Sequence, residues 1–120
     1  MKHEKQEGRA KMLRIFIDEA DYWEDNLLYE AIVKKMQLMN IAGATVFRGL
    51  VGYGSPKHLH HLGWLGNPTD LPIMVSIVDT EEKINEVLPV LDDMIGEGLI
   101  VVSDVEVIKY TYKRSQGRAP

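Results

Sequence analysis

"LPIMVSIVDTEEKINEVLPVLDDMIGEGLIVVSDVEV", residues 71–107, runs from one apolar segment through an amphipathic one into a second apolar segment. "LPIMVSIV", residues 71–78, has the β-branched content of a strand, with Pro72 tolerated at its start. Thr80 then reads as an N-cap, with Glu81 and Glu82 in the first turn, where the helix dipole favours carboxylates. Ile84, Val87, Leu88 and Leu91 recur at i, i+3, i+4 and i+7, the stripe of a helix. Pro89 is the misfit, because it has no N–H to donate to the carbonyl of Asn85, and it predicts a kinked or shortened second half. "LIVVSDVEVIKY", residues 99–110, reads as another strand.

The same pattern lies upstream. Leu13, Ile15 and Ile17 alternate with Arg14, Phe16 and Asp18, which predicts a strand. After the acidic "DEADYWED", residues 18–25, the spacing of Leu28, Ala31, Ile32 and Met39 predicts a helix, with Asp25 or Asn26 as N-cap and Asn40 near its stop. "ATVFRGLV", residues 44–51, predicts a strand. The order is βαββαβ: an α+β, ferredoxin-like fold with a four-stranded antiparallel sheet and two helices on one face. The runs "PIMV" and "LIVV" have the apolar continuity of strands buried on both faces, although helices cover only one. The uncovered face therefore predicts an oligomer.

Composition narrows the function. With 120 residues and 45% apolar content the chain is about one domain. No apolar run approaches the ~20 residues of a membrane span, and no secretory leader is apparent, so a cytoplasmic location is expected. The absence of cysteine excludes disulfides, thiolate zinc sites and cysteine nucleophiles. Residues 1–11 carry four basic and two acidic groups, and residues 109–120 carry Lys109, Lys113, Arg114 and Arg118 with no acid. Six basic and sixteen acidic groups remain for the rest, an acidic core that is a poor surface for nucleic acid. These boundaries suggest a charged N-terminal extension (1–11), a folded domain (12–112) and a basic C-terminal tail (113–120).

"RGLVGYGSPKHLHHLGWLG", residues 48–66, concentrates five glycines and three histidines between the second and third strands. Gly52 and Gly54, with Gly96 and Gly98 before the last strand, can let backbone N–H groups approach an anion. His58, His60 and His61 can contact a phosphate or partner, bind metal, or be ordinary loop residues. Trp64 is either a loop anchor or an interface aromatic. Residues 55–69 are expected to be mobile without ligand. Ser/His/Asp triads, HExxH and Walker sequences are missing, and a hydrolase using Arg14 and Asn40 lacks a phosphate loop.

"GATVFRGLVGYG" at Gly43–Gly54, a long loop, a strand ending "IVD", a helix and "GEGLIVVSDVEVIKY" at Gly96–Tyr110 together resemble the PII signal-transduction family, in particular a PII-like branch with "FRG" and a histidine-bearing loop. The resemblance covers about residues 12–112. It implies a homotrimeric sensor rather than an enzyme, with an adenine nucleotide between subunits, signalling through residues 52–70 and a transporter or channel as regulated client. It further implies Thr45 and Tyr53 beside the base or ribose, Gly52, Gly54, Gly96 and Gly98 around the phosphates, and Arg48, Lys109 and Arg114 as their cations. Where typical PII proteins have a "GDGK" turn, this chain has Glu97 and Leu99. The missing lysine favours AMP or ADP over a triphosphate, with cyclic nucleotides as a further alternative, and the loop holds no clear counterpart of the uridylylated tyrosine. An alternative of the same fold is a divalent-metal-binding trimer of the CutA type that uses the histidine loop.

Overall fold

The computed structural model describes residues 3–5, 8–53, 59–61 and 71–113. Its elements are β1 (His3–Lys5), β2 (Gly8–Asp18), β3 (Tyr22–Trp23), β4 (Asn26–Leu27), α1 (Leu28–Leu38), β5 (Ala44–Arg48), β6 (Val51–Tyr53), β7 (Leu59–His61), β8 (Pro72–Asp79), α2 (Glu81–Met94), β9 (Leu99–Val107) and β10 (Thr111–Lys113). The central sheet has four antiparallel strands in the order β5-β8-β2-β9. This is the expected α+β, ferredoxin-like arrangement.

Alternation decides which face the helices cover. Leu13, Ile15 and Ile17 of β2 and Ile73, Val75 and Ile77 of β8 are buried against Leu28, Ile32 and Met36 of α1 and Ile84, Val87, Leu91 and Met94 of α2. Asp79, in phase with the buried residues of β8, is also buried, and both of its oxygens are used. Oδ2 accepts from the Ala42 N–H at 2.9 Å and Oδ1 from the Thr80 N–H at 2.7 Å. That carboxylate ties the turn before β5 to the start of α2. The Lys83 ammonium donates to the Met39 carbonyl at 3.1 Å and draws the same two segments together.

Thr80 caps α2 as its sequence predicts, its hydroxyl accepting from the Lys83 N–H at 3.2 Å. Pro89 does not shorten that helix, which runs unbroken to Met94. Pro89 and Asn85 are both exposed, so water can satisfy the carbonyl that loses its donor. The start of α1 departs from expectation more sharply. Its N-cap is Leu27, without a side-chain cap, because Asp25 and Asn26 belong to the β3–β4 hairpin, which turns through Glu24 at φ 56°. The Leu28 N–H donates instead to the Asp21 carbonyl at 2.8 Å. Asn40, at φ 61°, ends the α1 segment near the predicted stop.

Three strand limits also move. β2 starts at Gly8, inside the segment set apart as an extension, because Gly8–Lys11 continues the pairing with β9 past the end of the core. "ATVFRGLV" divides at Gly49–Leu50 into β5 and β6, and β6 leaves the sheet to pair with β7. The last strand stops at Val107, after which β10 pairs with β1, so the two ends of the chain form a ribbon of their own. Among the described residues no helix is long and apolar enough to cross a membrane.

Candidate functional site at one end of the sheet

β2 and β5 end where β8 and β9 begin. The cross-strand register places Phe47, Met74, Phe16 and Leu99 in one row at that end, on the face without helices. The next row is Thr45, Ser76, Arg14 and Val101. Phe47 is 50% exposed and Leu99 55%, with Phe16 and Val101 also open, so among the described residues nothing covers the apolar face.

The two glycine-containing segments leave this same end from opposite edges, residues 49–53 after β5 and residues 96–98 before β9. Three strand spacings separate the edges, about 14 Å. Each segment is anchored to its own neighbours. The Gly49 N–H donates to the Pro72 carbonyl at 2.7 Å, and a Cβ on Gly49 would lie 2.7 Å from Pro72 Cγ. A Cβ on Gly98 would lie 2.8 Å from the Phe16 carbonyl oxygen and close to Ile17 and Ile95. Gly98 is therefore demanded by the chain's own packing. Gly96 has open space around it, and Gly52 only ordinary contact with Pro72.

Arg48, the last residue of β5, reaches across the start of β8 to Glu19, which follows β2. Its Nη2 lies 2.8 Å from Glu19 Oε2. The spacing of apolar residues carried no signal for this pair, since the strand between them comes later in the chain. Thr45 and Glu97 are exposed at or near this end. Lys109 is not brought here within one chain. β9 runs away from Leu99, opposite Phe16, to Val107, opposite Gly8, and Lys109 lies beyond that far end. The next residue, Tyr110, donates from its hydroxyl to the Ala42 carbonyl at 3.4 Å. Tyr53 is the last residue of β6, paired with Leu59. Gly54, His58, Trp64 and Arg114 lie outside the described residues, as does nearly all of the stretch 55–69; His60 and His61 fall in β7. Among the described residues no group of three or more His, Cys, Asp or Glu side chains is arranged to hold a metal ion.

A cavity of about 250 Å³ lies at the opposite end, lined by Arg9, Lys11, Glu81 and Asp104 among others. Two of its charges are spent on each other. The Lys11 ammonium donates to Asp104 Oδ1, a bond that raises the lysine pKa and lowers that of the carboxyl. A ligand there would have to break a pair already made.

The chain folds as a ferredoxin-like α+β protein with an open, glycine-flanked sheet end. The chain belongs to the DUF190 family, described as Uncharacterized ACR, whose model matches residues 10–107. It is 38% identical over 102 residues to the UPF0166 protein MJ1524 of Methanocaldococcus jannaschii, covering 84% of this chain and 94% of that one. A UPF0166 protein of Aquifex aeolicus is 36% identical over 102 residues, covering 83% and 94%. Among solved structures, CPII, a nitrogen regulatory PII-like protein of Thiomonas intermedia bound to ADP, AMP and bicarbonate, superposes with a TM-score of 0.60 at 19% identity, over 89% of this chain and 99% of CPII. A structure of CPII bound to ADP and bicarbonate gives 0.52 at 21% identity, over 85% and 91%.

Proposed function

We propose that this protein is a PII-like regulator that binds AMP or ADP in clefts between the subunits of a homotrimer, signals through residues 52–70 and does not turn the nucleotide over. The observation that carries the reading is the position of residues 49–53 and 96–98 at one end of the sheet, on opposite edges. At about 14 Å apart, they are too distant to close on one phosphate within a subunit. Copies packed through their open apolar faces would set the β5 edge of one beside the β9 edge of the next. The likeness to CPII, bound to ADP, AMP and bicarbonate, supports the ligand class.

In this reading Arg48, Thr45, Gly52, Tyr53 and Gly54 come from one subunit, and Gly96, Glu97, Gly98 and Leu99 from its neighbour. Lys109 and Arg114 would approach from a further segment, since Lys109 leaves the far end of its own sheet. Binding needs no metal or other cofactor. The regulated client is a transporter or channel protein, and the site of action is the cytoplasm. Calorimetry with AMP, ADP, ATP, cyclic AMP and bicarbonate tests the ligand. Heat is expected with AMP or ADP, with the nucleotide recovered intact. No heat with any of the five on a verified trimer would overturn the reading, and binding of a divalent cation dependent on His58, His60 and His61 would replace it with the CutA-like one.

A further inference from the structure

Arg48 is already engaged by a carboxylate of its own chain. Glu19 is the better anchored partner: its side chain is 25% exposed against 53% for Arg48, and its N–H is fixed to the Leu71 carbonyl at 2.9 Å. The contact uses one carboxylate oxygen. Glu19 Oε1 is buried and has no hydrogen-bond partner among the described residues. An arginine fork can satisfy both oxygens of a carboxylate, so this pair is weaker than its charges allow. A buried acceptor without a donor costs free energy, so the arrangement is less costly to break.

We infer that Glu19 is an internal competitor for Arg48 that limits the affinity of the site for phosphate-bearing ligands. This rests on the reading above, in which Arg48 meets the ligand's phosphate. A terminal phosphate carries between one and two negative charges and three strong acceptor oxygens, against one charge and one engaged oxygen on Glu19. A phosphate can displace Glu19; a neutral nucleoside cannot. Exposed ion pairs contribute up to about 1 kcal/mol, which bounds the competition at about five-fold in affinity.

The test is a double-mutant cycle by calorimetry with ADP, AMP and adenosine on wild type, Glu19→Gln, Arg48→Ala and the double variant, each with its thermal midpoint measured. Glu19→Gln is expected to tighten ADP and AMP by about two- to five-fold and to leave adenosine unchanged. Arg48→Ala is expected to weaken both nucleotides and to erase the effect of Glu19→Gln. Unchanged or weaker ADP binding in Glu19→Gln overturns the competition, the weaker case making Glu19 a positioning residue. Unchanged ADP binding in Arg48→Ala overturns the phosphate role of Arg48 and this inference with it. No binding of any of the three to wild type overturns the proposed function itself.

Discussion

Gly96 and Gly98 look equivalent in sequence and differ in what surrounds them. A methyl group at Gly98 meets the Phe16 carbonyl at 2.8 Å, backbone that cannot step aside, whereas one at Gly96 meets nothing within 4 Å. Gly98→Ala is therefore expected to cost about 1–3 kcal/mol, and Gly96→Ala to stay within about 0.5 kcal/mol, in denaturant unfolding of the two variants. Equal costs would show that the close approach at Gly98 relaxes freely. The glycine spacing was visible in the sequence, but its cause was not. A ligand's phosphate and a neighbouring strand's carbonyl both require the same missing Cβ.

Among the elements, the start of α2 was legible in the sequence and the start of α1 was not. Thr80 has no rival use, so its capping preference is realised. Asp25 and Asn26 have the same preference, yet the β3–β4 hairpin takes them first. Pro89 was expected to kink or shorten α2 and does not shorten it, since the missing bond falls at exposed Asn85. Pro89→Ala should restore that hydrogen bond and raise stability by about 1–3 kcal/mol, read from the unfolding midpoint. A fall in stability would show that the fixed φ of proline favours the fold more than the missing bond weakens it.

At the scale of the whole molecule, the face carrying Phe16, Phe47, Leu99 and Val101 has to be covered or remain an unusually large wet apolar surface. Sedimentation is expected to give three times the chain mass of 13.6 kDa. Phe47→Glu, at a half-exposed position outside the core, should dissociate the assembly while leaving the circular dichroism of the subunit intact. A trimer unaffected by that charge, or a wild-type monomer at micromolar concentration, would remove the shared-cleft arrangement.

What the sequence determined by itself is the βαββαβ order of the six core elements, the fold class and the existence of an uncovered apolar face. These depend on local periodicity: i, i+2 alternation in Leu13–Ile17, and i, i+3, i+4, i+7 spacing in Ile84–Leu91. Only the tertiary structure decided that Arg48 meets Glu19, that Gly98 lies against Phe16, that Asp79 ties the turn before β5 to α2, and that Lys109 leaves the far end of the sheet. Each of these joins residues far apart in the chain through strands that pair out of sequence order. Periodicity within a segment tells which face is buried; it does not specify which strand will lie beside it, and the chemistry at the end of the sheet depends on that neighbour.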